Sequence, residues 1–270
     1  MADAQAELLA IIEKETTAEI RVKTLGTFSV FRGDHLITNK EWGRDKTIQL
    51  FQFLVSSRLR KALHKEQIID RIWDDISPSS ADQTFKVALH GIHKVLEPER
   101  KSRTEPKYIH RQGITYQLNT DMVWVDVTAV EDLIRIGNQS IVIDEKLTIQ
   151  AFQKALELYE GTYLPNRMYE DWSSSERERI QLIVIGALIT LGELMIDQNP
   201  MESVRLAQQA LLIDAVWEDA YRLQMQAYAS KGNRPMVIKT YQQCETVLNE
   251  EFGIRPLPET RRLLESVQAK

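Results

Sequence analysis

The chain has 270 residues, 43% hydrophobic and 27% charged, a composition that excludes disordered, collagen-like and low-complexity classes. At roughly 100–200 residues per domain, this length predicts two domains, each able to bury its own core. The net charge of −5 conceals a split. Residues 20–118 hold 18 Lys and Arg against 11 Asp and Glu (+7), and all five histidines, whereas residues 119–270 hold 15 against 23 (−8). A basic module that meets phosphate, joined to an acidic one, accounts for this split, and an uneven solvated surface is the plainer alternative.

The opening Met1-Ala-Asp-Ala-Gln-Ala-Glu has no basic region followed by an apolar stretch, so it does not read as a secretory signal. Residues 1–19 form an acidic extension, and 5–15 predict a short helix. Ile20–Phe31 is β-rich and partly alternating, and breaks at Arg32-Gly33-Asp34, a hairpin signal with a return strand around His35–Thr38. From Lys46 the period turns helical, with Ile48, Phe51, Leu54 and Val55 on one face. A second helix over Lys65–Asp74 groups Ile68, Ile69, Ile72 and Trp73. Ser77-Pro-Ser-Ser-Ala then offers Ser79 or Ser80 as N-cap to a helix running to about Glu97. Tyr108–Leu118 reads as two short strands about Gln112-Gly113.

After Asp126 every segment reads as helix, with glycine and proline at the breaks. Ile180–Ile196, the most apolar window, is interrupted by Gly186, Thr190, Gly192 and Glu193 and reads as a buried helix, not a membrane span. Gln208-Gln209-Ala210 falls on Gln242-Gln243-Cys244 at a spacing of 34, the tetratricopeptide (TPR) period, which predicts a loose helical repeat. A lone cysteine, Cys244, cannot close an internal disulfide, and a reducing cytoplasm is the expected compartment.

The helix over 81–97 is the most informative segment. At 100° per residue, Ala81, Phe85, Ala88, Leu89, Ile92, Val95 and Leu96 gather on a core-facing side. Opposite lie Gln83, Val87, His90 and Lys94, flanked by Thr84, Lys86 and Gly91, with no acid between Gln83 and Lys94. Gln and Lys reach base edges in a DNA major groove, and Val meets a thymine methyl. A solvated face that happens to lack acids explains the same pattern more blandly. A short helix, a Ser/Pro turn and this longer helix form a helix-turn-helix, and the Tyr108–Leu118 hairpin supplies a wing with Arg111 beside its tip. Lys46, Lys65, Arg100, Lys101, Arg103 and Lys107 are candidate phosphate contacts.

Val22-Lys-Thr-Leu-Gly-Thr-Phe, Gln49-Leu-Phe-Gln-Phe-Leu, Lys65–Trp73, Phe85-Lys-Val-Ala-Leu-His and Tyr108–Leu118 resemble an OmpR-type winged helix, most closely that of the Streptomyces antibiotic regulatory protein (SARP) family. Glu170-Asp-Trp, Glu176-Arg, Asp214–Arg222 and Tyr241–Pro256 are similar to that family's bacterial transcriptional activation domain. The resemblance implies an α+β winged helix-turn-helix domain over 20–120, followed by an all-α, TPR-like helical domain over 121–270. It implies a cytoplasmic transcription regulator, more an activator than a repressor. Its partners would be promoter DNA, with RNA polymerase or a second copy of the chain, and no membrane. One departure stands out: His93 replaces the family's usual arginine, so phosphate affinity is expected to be weaker, more pH-dependent or reliant on dimerisation.

The expected DNA-contacting set is therefore Gln83, Thr84, Lys86, Val87, His90, His93, Lys94, Arg111, Lys46 and Lys65. No catalytic residue, cofactor or metal is expected. Gly43-Arg-Asp-Lys-Thr lacks the glycines of a phosphate loop, His90 and His93 have no third ligand, and Glu170-Asp171 and Glu218-Asp219 read as solvated faces. The alternative from another class is a protein-interaction adaptor whose winged helix no longer binds DNA specifically.

Overall fold

A computed structural model describes residues 2–60, 62–101 and 103–269. In chain order the elements are α1 (Ala2–Thr17), β1 (Ile20–Lys23), β2 (Ser29–Arg32), β3 (His35–Leu36), α2 (Asn39–Trp42), α3 (Asp45–Ser56), β4 (Leu63–His64), α4 (Lys65–Ile72), α5 (Pro78–Leu96), β5 (Ile109–Gln112), β6 (Thr115–Leu118) and β7 (Val123–Val125). The helices α6 (Asp126–Ser140), α7 (Glu145–Leu158), α8 (Asp171–Met195), α9 (Pro200–Ile213), α10 (Glu218–Ser230), α11 (Arg234–Phe252) and α12 (Pro258–Gln268) follow, with a 3-10 turn at Pro165–Arg167. They make an α+β winged helix-turn-helix followed by a helical repeat.

Two compact units form. One holds Met1–Asp132 and Leu158–Ile180, and the other holds Leu133–Glu157 and Gln181–Lys270. The sequence reading cut the chain once, near 120. By compactness the two units alternate along the chain, because the segment Leu158–Ile180 returns to the first unit.

In that first unit β1 pairs antiparallel with β2 and parallel with β7, giving a four-stranded sheet ordered β3-β2-β1-β7. β7 was not anticipated; its Val-Trp-Val is buried on every residue, so no alternation marks it as a strand. The carboxylate of Asp126 is buried where β7 meets α6. It accepts from the backbone N–H groups of Thr24 (2.7 Å), Leu25 (2.9 Å) and Val127 (2.7 Å) and from the Thr24 hydroxyl (2.6 Å). Burial pushes its pKa up, and these four donors pull it back.

Helix α3 is buried nearly all round, Gln49 and Gln52 included, where the spacing of its apolar residues predicted one buried stripe. The returning segment supplies the second cover. Gln49 donates to Glu170 (2.8 Å), Arg167 donates to Gln52 (2.8 Å) and pairs bidentately with Asp45, and Phe53 meets Trp172 edge-on at 5.5 Å. At the end of α3, the Ser56 and Tyr163 hydroxyls lie 2.7 Å apart. Glu170 is thus an internal acceptor, which corrects its reading as a solvated acid. Glu218 is corrected likewise: it accepts from the backbone N–H of Leu257 at the start of α12 (2.7 Å) and from the Thr260 hydroxyl.

Arg58, just past α3, is 3% exposed. Its guanidinium donates to Thr128, Glu131 and Glu176, each at 2.7 Å, and Arg179 contacts both glutamates from the other side. The two arginines and two glutamates close a ring of ion pairs.

In the second unit, α9 and α10 pack as one hairpin, and α11 and α12 as the next. The 34-residue spacing maps the first helix of one hairpin onto the first of the other. Asn199 and Asn233, 34 apart, are both N-caps, accepting from the backbone N–H of Glu202 and Met236. Ala210 and Cys244, the other matched pair, are both fully buried. Burial pushes the Cys244 thiol up to about 12, as suits a packing residue. Gly192 gives α8 its close approach to α10: a Cβ there would lie 2.4 Å from Leu223, and the Ser203 hydroxyl donates to the Gly192 carbonyl (2.7 Å).

Candidate nucleic-acid interface

Helices α4 and α5 are joined by the turn Trp73–Ser77, and β5–β6 follow as a hairpin on which β4 pairs. Ser77, not Ser79 or Ser80, is the N-cap of α5; Pro78 takes the first helical position, where its missing N–H costs nothing, and the Ser77 hydroxyl bonds Ser80 (3.0 Å). The buried stripe of α5 is Ala81, Phe85, Ala88, Ile92, Val95 and Leu96. Leu89, expected in the core, is half-buried and lines a groove instead. Gly91, expected on the flank of the outer face, turns inward. A Cβ there would lie 2.9 Å from the Thr47 side chain, so the close approach it allows is that of α3.

The outward face of α5 carries Gln83, Lys86, Val87, His90 and Lys94, all exposed, with Val87 44% accessible. Thr84 is half-buried, and its hydroxyl returns to the Ser80 carbonyl (2.9 Å). The wing turns through Gly113 and Ile114. Gly113 has φ +61°, the geometry that a two-residue hairpin turn needs and glycine adopts at little cost. Arg111, exposed beside this turn, lies over the Tyr116 ring at 5.8 Å and donates to the Gly113 carbonyl (2.9 Å). Ile114, 51% exposed at the tip, was missed by sequence reasoning, which weighed charges and not an apolar tip.

Between α5 and the wing runs a groove of about 380 Å³, lined by Lys65, Lys86, His90, His93, Arg100 and Arg111 over apolar residues. The fold thus brings together five of the expected ten and adds Arg100. Gln83, Val87 and Lys94 lie on the open face of α5 outside this lining. Lys46 stands apart: its ammonium caps the end of α4 by donating to the Ile72 carbonyl (2.6 Å).

Asp82, one residue before the acid-free stretch, tempers the charge. It holds Lys65 (2.6 Å) and Lys86 (2.6 Å), and these two lysines keep its carboxylate ionised down to about 2. The signal was present in the sequence, since Asp82 and Lys86 sit at helical i,i+4 spacing. His93 lies half-buried in the groove, where burial first, then Arg100 and His90, push its pKa down to about 4. It is therefore neutral above pH 5. Because its folded pKa lies below the unfolded value, unfolding takes up a proton as the pH falls from about 6.5 to 4. Stability from this group is complete above that window and is lost on acidification. A His93→Gln variant should show a flatter melting temperature between pH 6.5 and 4, measured by calorimetry; an unchanged slope would place the titrating group elsewhere.

Gly43-Arg-Asp-Lys-Thr has a structural role: Gly43 ends α2 at φ +76° and Asp45 pairs with Arg167. Among the described residues no group of three His, Cys, Asp or Glu is placed to hold a metal ion, and no helix is long and apolar enough to cross a membrane.

The model of the bacterial transcriptional activator domain matches residues 125–268, more than half of the chain. This chain belongs to the bacterial transcriptional activator domain family. The SARP-type resemblance drawn from its motifs holds with that assignment. Glu170, Trp172 and Glu176, among the residues on which that resemblance rests, are those that cover α3 and hold Arg58. Among solved structures, the chain is similar to Mycobacterium tuberculosis EmbR in complex with a low-affinity phosphopeptide, at 15% identity and a TM-score of 0.79. That likeness covers 93% of this chain and 65% of the EmbR chain, and shows a shared fold. None of the curated proteins matches the chain.

Proposed function

We propose that this member of the bacterial transcriptional activator domain family is a cytoplasmic regulator that reads promoter DNA, acting by binding and not by catalysis. The observation that carries this reading is the groove between α5 and the wing, where lysine, arginine and histidine side chains converge beside an exposed face offering Gln83, Val87 and Lys94. In this reading α5 enters the major groove, Arg111 and Ile114 approach the neighbouring minor groove, and Lys65, Lys86 and Arg100 meet phosphate. Residues 20–120 form the DNA-binding module after an acidic extension over 1–19, and 121–270 form the activating module. The acidic helical module repels DNA and suits contact with RNA polymerase or a second copy of the chain.

The test is a fluorescence-anisotropy titration of the protein against its own upstream DNA and a scrambled duplex at several salt concentrations. Sequence-selective binding with a steep salt slope supports the reading. Weak and equal binding to both duplexes favours the adaptor reading, for which the ties of Asp82 to Lys65 and Lys86 and the neutral His93 are the supporting observations.

A further inference from the structure

A second cavity, of about 530 Å³, opens beside the start of α3, between the turn that follows β1 and the returning segment that carries Pro165. Phe28, Ile48 and Pro165 give it an apolar wall, and none of the three is buried. Two charged residues, Arg44 and Asp45, also line it. Asp45 is taken up by its bidentate pair with Arg167, whereas Arg44 is exposed and, among the described residues, pairs with no acid. Helix α3 starts after Arg44 without a side-chain cap, so its first N–H groups add positive potential at the same place. The cavity is an apolar recess with one uncompensated positive charge at its edge.

The end of α11 has the opposite character. Phe252 is 60% exposed and Ile254 51%, on either side of Gly253, whose φ of +66° turns the chain out of the helix. Glu250 and Glu251 come just before them, both exposed and, among the described residues, without an ion pair. With these two acids against Arg255, the stretch 250–255 carries a net charge of −1. The last carbonyls of α11 add the negative end of its dipole. An exposed apolar side chain standing singly needs no explanation, but an aromatic and an isoleucine flanking one turn, with acids beside them, form an anchor without a pocket.

We propose that the end of α11 in one copy of this chain docks into the α3 recess of another. Phe252 is the anchor, covered by Phe28, Ile48 and Pro165, and Glu250 or Glu251 pairs with Arg44. The negative end of α11 then meets the positive end of α3, so charge sets the orientation as well as the attraction. The recess lies on one compact unit of the chain and the anchor on the other. Each joint therefore joins unlike patches of two copies, and such joints close into a ring or run on as a row. The contact deepens the second-copy partnership of the proposed function and rests on that part of the reading alone. A joint this small belongs at the low end of specific interfaces, with a dissociation constant of about 10–200 µM.

The test is sedimentation velocity of the full chain, without DNA, over about 5–500 µM, where the sedimentation coefficient should climb with concentration. Phe252→Ala and Arg44→Glu should each weaken association about tenfold or more, the first by removing the anchor and the second by setting like charges against each other. Each variant keeps the surface that the other has lost. An equimolar mixture of the two should therefore associate again, which neither does alone. A wild-type chain that stays monomeric throughout the range overturns the proposal. So does either variant associating as the wild type does, or a mixture no more associated than its parts. Because DNA is absent throughout, a failure here is distinct from a failure of the DNA-reading proposal.

Discussion

Arg58→Met should lower the unfolding free energy by about 3–5 kcal/mol, because it leaves Glu131 and Glu176 buried against a single remaining arginine. Arg179 is the weaker partner: its side chain is 42% exposed, whereas that of Arg58 is fully enclosed. Solvent therefore takes over part of the work when Arg179 is removed and none when Arg58 is. Arg179→Met should cost about 1 kcal/mol or less. Denaturant unfolding monitored through tryptophan fluorescence separates the two variants. For a compact unit of this size the Arg58 change corresponds to a drop in melting temperature of roughly 6–20 °C. Equal losses for both variants would mean that the ring is a surface feature and not a buried tie.

Lys86→Ala, Lys94→Ala and Arg111→Ala combined should weaken binding to the upstream duplex and flatten its dependence on salt. Each lost phosphate contact removes roughly 0.9 from the slope of log affinity against log salt. The complementary change is Asp82→Asn. It releases Lys65 and Lys86 from their shared carboxylate, and should strengthen binding to the upstream and scrambled duplexes alike while steepening the slope. Anisotropy titrations across a salt series read both effects. An unchanged slope in the triple variant places the duplex elsewhere on the protein.

How much of this was legible in the sequence varies by element. Helix α5 and the wing were, because each has one buried face and a period that a short window reveals: Phe85, Ala88 and Ile92 repeat at helical spacing, and Gly113 marks the turn. The full burial of α3 was not. Gln49 and Gln52 look like solvent residues until Glu170 and Arg167 arrive from more than a hundred positions away. Long-range partners leave no local period behind. Glu218 misled for the same reason, since the N–H that it accepts belongs to Leu257, 39 residues on. Gly91 shows the converse error. Its small size was legible and its purpose was not, because the neighbour that needs the room, Thr47, sits on another helix.

The tip of the wing is tied down: the Lys65 backbone N–H donates to the Ile114 carbonyl at 2.9 Å, joining the hairpin turn to the first turn of α4. A hairpin anchored at both its strands and its tip has little disorder left to surrender when a duplex arrives. The entropy that a floppy wing forfeits on docking is already spent during folding, so in the proposed DNA-reading role this wing would meet a duplex preshaped, with no ordering step.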